Sequence, residues 1–212
     1  MVVHNMNGLP IQVESTPFRL TNDELNVITN TQYEDPKNNY TSISSNNFLL
    51  KDTRLSRIKN FLDERVNNYV ENVVEIKDKL VMTQSWTTIT KKNKHHHSHN
   101  HRNSIFSLVF YVSAEGEKSG NIVFDHISSR LEEKWSFAFT VKNYNYFNSR
   151  SWEYEVHTGD LIIFPSWTFH FTKENTSDKD RIIIGANYFV EGVLGELKNV
   201  DKINIQLGDV ND

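Results

Sequence analysis

Between positions 52 and 74 apolar residues recur at steps of three and four: Leu55, Ile58, Phe61, Leu62, Val66, Tyr69, Val70, Val73 and Val74. That spacing predicts a long amphipathic helix, with Asp52 or Thr53 available to cap its start. Beyond Lys79 the period changes. Residues 81–90, 105–113, 121–127, 135–142, 153–156, 161–164, 181–190 and 203–207 are short runs rich in β-branched and aromatic side chains. Gly116, Gly120, Asn143, Asn145 and the Thr158-Gly159-Asp160 turn separate them, as strands require. Upstream, Ile11 and Val13 suggest a strand and residues 23–28 a short helix, while the Asn-, Thr- and Ser-rich stretch 30–47 reads as an exposed connection. A helical first third followed by about eight strands predicts an α+β fold, a two-layer β-sandwich or jelly roll with helices on one face.

Composition narrows the function. With 212 residues the chain suits one domain with a sizeable core, residues 1–80 supplying an N-terminal strand and supporting helices and 81–212 the β core. A net charge of −4 gives no electrostatic case for nucleic acid. No apolar run approaches a membrane span, and the start MVVHNMNGLP has no signal-peptide pattern, so a cytoplasmic protein is expected. The absence of cysteine excludes disulfides, thiolate nucleophiles and Cys-based metal sites. Any metal must be held by His, Asp, Glu, carbonyl oxygen or water.

Five of the nine histidines fall in one seven-residue tract, HHHSHNH, directly before the run 105–113. Exposed His-rich loops are ordinary, and His95, His96 and His97 read as such a loop. His99 and His101 stand two apart beside a strand, where an extended backbone puts both side chains on one face and lets them chelate a cation. The same spacing fits His95/His97 and His97/His99, so spacing alone does not choose the pair. Downstream lies GDLIIFPSWTFHFT, in which His170 sits in a second extended run and taken alone reads as a structural histidine. Arg181 follows eleven residues later and opens the apolar run RIIIGANYFV. There it is either an edge residue kept for solubility or a bidentate fork for a carboxylate inside a barrel.

Together these stretches resemble the Fe(II)- and 2-oxoglutarate-dependent oxygenases, in particular the phage and bacterial 2OG-Fe(II) oxygenase branch related to prolyl hydroxylases. That branch reads roughly W-x-N, H-x-H-P-x-S-x-x-S-G-V-Y-Y, F-P-S-W-x-x-H and R-x-S-I-S-x-N. The matching stretches are Trp86-Thr87-Thr88, His99 to Tyr111, Phe164-Pro165-Ser166-Trp167-Thr168-Phe169-His170, and Arg181 to Asn187. Ser15-Thr16-Pro17 resembles the opening strand. Arg102, Leu108 and Phe110 depart from the pattern, and His101 stands where the superfamily more often has a carboxylate.

The resemblance implies a double-stranded β-helix spanning one oxygenase domain, with Fe(II), 2-oxoglutarate and O₂ as cofactors and ascorbate as a candidate reductant. It implies His99, His101 and His170 as metal ligands. Arg181, with Tyr111, would bind the distal carboxylate, and Asn187 and Trp86 would line the pocket. Asp125 is a fallback carboxylate ligand. With imidazole in place of carboxylate, nickel, copper and zinc should compete with iron for the site. The substrate would be a prolyl or other amino-acid residue, or a small molecule, and the compartment the host cytoplasm if the chain is phage-encoded. Residues 143–152 are a candidate lid and residues 191–197 a candidate apolar contact surface. Two other classes remain open: a cupin-like metal enzyme without 2-oxoglutarate, for which Arg181 has no obligatory role, and a non-enzymatic β-sandwich binding or structural module.

Overall fold

The computed structural model describes residues 8–34, 40–125, 140–145, 147–195 and 202–208. Twelve strands are found among them: β1 (Gln12–Ser15), β2 (Tyr33–Glu34), β3 (Ser42–Ser44), β4 (Leu80–Thr90), β5 (Phe106–Ser113), β6 (Ile122–Asp125), β7 (Ser151–Tyr154), β8 (Asp160–Pro165), β9 (Phe169–Thr172), β10 (Arg181–Val190), β11 (Gly192–Leu194) and β12 (Ile203–Ile205). The helices are α1 (Asn22–Thr29) and α2 (Ser56–Asn72). A seven-stranded sheet runs β1-β8-β5-β10-β4-β3-β2, a three-stranded sheet runs β7-β6-β9, and β11 and β12 form a separate ribbon. The pairings between these strands are antiparallel. Two facing antiparallel sheets with helices on one outer face make a double-stranded β-helix.

The central strands are apolar on both faces because both faces are covered. Leu108 and Phe110 of β5, Leu161 and Ile163 of β8, and Ile184 and Ala186 of β10 pack with Ile58, Leu62, Val66 and Tyr69 of α2. Alternate residues on the same strands, Tyr111, Ile162, Phe164 and Ile183, meet Ile122 and Phe124 of β6 in a second core between the sheets. Arg181 shares the parity of Ile183, so its side chain enters this inter-sheet space. The helices are joined by charge as well as by packing. Thr21 and Glu24 form a capping box on α1, and Glu24 also binds Arg57 of α2 at 2.5 Å.

Several boundaries differ from those expected. Residues 30–47 are not merely a connection, since β2 and β3 extend the large sheet from its β4 edge. Their strands are only two and three residues long and mostly polar, too short to show a period. The helix predicted from Asp52 begins at Ser56, after a 3₁₀ turn over Thr53–Leu55 that Asp52 caps through Arg54 N. The expected strand 135–142 lies outside the described residues apart from 140–142, which are not strand. The end of the candidate lid is β7, because Ser151 and Trp152 pair with Asp125 and Phe124. Tyr144 and Phe147 in its first part are exposed. Within 191–197, Gly192–Leu194 form β11, and 196–197 lie outside the described residues. Among the described residues no helix is long and apolar enough to cross a membrane.

Candidate metal centre

The segment between β4 and β5 turns back at Asn93, which adopts φ 63°, and runs beside β9. There His99 and His170 exchange main-chain hydrogen bonds, His99 N to His170 O at 3.0 Å and His170 N to His99 O at 2.9 Å. Two residues on, His101 N donates to Ser166 O at 2.9 Å. These three anchors gather His99, His101 and His170, whose potential ligand atoms all lie within 4.8 Å of one another. Metal–nitrogen bonds of about 2.1 Å, as for zinc, would draw that spread together by small side-chain rotations.

The rings are in a state that could bind a cation. His99 Nδ1 lies 2.9 Å from His97 O and His170 Nδ1 3.0 Å from Thr168 O. A carbonyl accepts only from N–H, so each contact fixes the proton on Nδ1 and leaves Nε2 with a free lone pair. Burial holds all three below the ordinary imidazole range: His101 is pushed down to about 3, with the nearby His99 adding to it, and His170 lies well below the usual value. Neutral imidazoles, two of them with a fixed tautomer, suit a borderline transition-metal cation, and among the described residues no carboxylate belongs to the cluster. Asp125 is not among the three. It alternates with Phe124, which faces His170 with ring centroids 5.8 Å apart, so strand parity carries Asp125 to the opposite face.

Arg181 is 2% exposed and lies on the same inter-sheet cavity. Its guanidinium donates to Ser119 O at 2.6 Å, Gly120 O at 2.7 Å, Thr90 Oγ1 at 3.1 Å and Thr172 Oγ1 at 2.7 Å. Every one of these acceptors is neutral. Among the described residues no carboxylate pairs with this buried cation, a costly state unless an anion is to arrive. Gly120 is required here, since at φ +78° an added Cβ would stand 2.2 Å from Lys173 O. Tyr111 lies on the same cavity wall, fully buried, with its phenol pKa raised by burial. No hydrogen bond from its hydroxyl is found among the described residues.

Trp86 and Asn187 were both expected to line the pocket. Trp86 does, its ring centroid 5.3 Å from that of His101. The indole lies over Gly185 of the neighbouring strand, where a Cβ would come within 2.5 Å of Trp86 Cε2. Gly185→Val is therefore expected to cost roughly 1–3 kcal/mol through overpacking. It should lower the melting temperature by about 2–12 °C and weaken metal binding by pressing Trp86 onto His101. A melting curve unchanged from wild type would show that the indole has room to move. Asn187 does not line the cavity. Its amide is consumed by Ser107 Oγ at 2.7 Å and Gln84 Oε1 at 3.0 Å.

Two features escaped the sequence reading. Ser104, half-buried, and the buried Ser107 and Ser166 form a hydroxyl chain with links of 2.7 and 2.8 Å, ending at Asn187 and bracing the carbonyl that positions His101. A serine inside the apolar run IFSLVF was its signal, because a buried hydroxyl needs a partner. The second is His96, assigned to a loop, which lines the cavity and stacks on His99 with centroids 4.4 Å apart. Burial, and then the neighbouring imidazoles and the Arg181 guanidinium, hold its pKa well below the ordinary imidazole value. His95 and His97 pack against Tyr40 outside the cavity.

Residues 84–187 match the family model described as "Putative 2OG-Fe(II) oxygenase". No curated protein matches the chain. Among solved structures, HygX from Streptomyces hygroscopicus, crystallised with nickel, 2-oxoglutarate and hygromycin B, superposes with TM-score 0.58 at 13% identity, covering 85% of this chain and 82% of its own. The carbocyclase SnoK from nogalamycin biosynthesis gives TM-score 0.59 at 10% identity, covering 85% and 80%. An oxidoreductase of the 2OG-Fe(II) oxygenase family from Burkholderia pseudomallei gives 0.55 at 11%, covering 77% and 74%. At these identities the likeness is one of fold.

Proposed function

We propose, starting from a chain that belongs through residues 84–187 to the 2OG-Fe(II) oxygenase superfamily, that His99, His101 and His170 are its iron ligands and Arg181 its anchor for 2-oxoglutarate. The enzyme's cofactors are Fe(II), 2-oxoglutarate and O₂. When bound, iron brings O₂ and 2-oxoglutarate together, so that decarboxylation of the co-substrate to succinate accompanies oxidation of a substrate C–H bond. The protein's own part is to hold these groups in register.

The observation that carries the reading is the buried Arg181, which pairs with no carboxylate among the described residues and lies on the same cavity as the triad. A dicarboxylate reaching towards the guanidinium would supply negative charge there, accepting from Nε or taking over the Nη2 hydrogens now donated to the Thr90 and Thr172 hydroxyls. The Tyr111 hydroxyl, buried beside it, is a donor for the same group. Tyr111→Phe should leave the melting temperature within about 2 °C of wild type while weakening 2-oxoglutarate binding about three- to tenfold, the value of one hydrogen bond. Unchanged affinity would remove Tyr111 from the site. Substrate would approach past the exposed Trp167 and Phe169, which precede His170 along the chain and offer aromatic surface to a peptide or small molecule.

Anaerobic loading with Fe(II) followed by titration with 2-oxoglutarate tests the assignment before any substrate is known. A visible metal-to-ligand charge-transfer band that grows with 2-oxoglutarate is expected. Iron binding with no band would mean that 2-oxoglutarate does not chelate the metal and would favour a cupin-like centre.

A further inference from the structure

The cavity shared by the triad and Arg181 has a volume of about 40 Å³. That is room for water and not for an extended dicarboxylate. Something in its wall must move if 2-oxoglutarate is to span from metal to guanidinium. Among the described residues most of the wall is fixed. Tyr111, Val109 and Ile183 belong to paired strands, and Trp86 is pressed against Gly185. Arg181 is held by four hydrogen bonds, and the three ligating rings would be fixed by the ion.

His96 is different. Its main chain is tied down, with N donating to Thr172 Oγ1 at 2.9 Å and O accepting from Thr172 N at 3.1 Å. Thr172 Oγ1 is also the acceptor that holds Arg181 Nη2. The residue is thus rooted at the Arg181 end of the cavity, while its ring reaches the triad end and lies flat on His99, 23° from parallel. Among the described residues that ring makes no hydrogen bond. Stacking, chiefly on His99 and edge-on to His97, is what holds it.

We propose that the His96 side chain is the gate of the co-substrate site, closing the space between the triad and Arg181 until 2-oxoglutarate displaces it. This rests on the assignment of the triad and Arg181 as the two ends of that site. The backbone hinge stays in place and the imidazole rotates outward towards the exposed His97 side, so opening breaks stacking and no hydrogen bond. Because only the open state accepts the dianion, the apparent affinity of the wild-type enzyme is reduced by the fraction that is closed.

The test is the anaerobic titration of Fe(II)-loaded wild type, His96→Ala and His96→Phe with 2-oxoglutarate, following the charge-transfer band, with Fe(II) affinity measured separately for each. Removal of the ring should tighten 2-oxoglutarate binding by roughly three- to tenfold, and the non-ligating, stacking Phe should weaken it, with iron affinity little changed in both. An alanine variant that binds 2-oxoglutarate as wild type does, or more weakly, would overturn the gate; weaker binding would make His96 a donor to the co-substrate instead. Failure of the co-substrate assignment looks different: no band forms even in wild type, and the gate falls with it.

Discussion

Exchanging His170 for alanine is expected to abolish stoichiometric Fe(II) binding, and with it the charge-transfer band, while the metal-free protein melts close to wild type. His170 is the most buried of the three imidazoles, its tautomer is set by Thr168 O, and its ring points into the inter-sheet space. Loss of a direct ligand should exceed the ten- to hundredfold cost typical of removing an outer-shell partner. Its main-chain exchange with His99 does not depend on the side chain, so β9 should remain paired. Equilibrium dialysis against iron, with calorimetry of the metal-free protein, separates the two effects. A variant that retains wild-type iron affinity would remove His170 from the ligand set. The proposed all-imidazole donor set adds a second expectation: nickel, copper and zinc should compete strongly with iron, since among the described residues no carboxylate joins the three rings.

The second large effect concerns the co-substrate. Arg181→Ala should weaken 2-oxoglutarate binding by about thirty- to a thousandfold, corresponding to roughly 2–4 kcal/mol for truncating a buried, charge-assisted contact. Iron affinity should change far less. The substitution also strands Ser119 O and Gly120 O and takes one partner each from the Thr90 and Thr172 hydroxyls, so some loss of stability is expected and iron binding serves as the control for folding. Arg181→Lys keeps the charge without the fork and should fall between the two. Full turnover by an Arg181→Ala protein would point to a metal enzyme that does not use 2-oxoglutarate.

How far the sequence carried these conclusions differs from element to element. The α2 period was legible because one face of a helix repeats over seventeen residues. The central strands were legible as apolar runs, though their burial on both faces hid which residues faced the helix and which the second sheet. β2 and β3 were not legible, since two or three polar residues carry no period and are held by pairing with the rest of the sheet. In the site, the spacing of His99 and His101 was readable but ambiguous, and only the hydrogen bonds to His170 and Ser166 distinguish that pair from its neighbours. His96 was misjudged because exposed His-rich loops are ordinary and nothing in the tract itself sets it apart from His95 and His97. Here the loop curves, and His96 is clamped to Thr172, seventy-six residues away. Asn187 was placed in the pocket by motif position, whereas the serine chain had already claimed its amide.

The reciprocal hydrogen bonds between His99 and His170 have a consequence for how the chain reaches its native state. Neighbouring residues on an extended segment point to opposite faces, so a slip of one position between β9 and the histidine tract would turn one imidazole away from the other. A misaligned molecule then has no triad to offer, while a correctly aligned one does. Iron supplied during refolding would therefore act as a proofreader of strand alignment, retaining the molecules that paired correctly and leaving the rest free to try again.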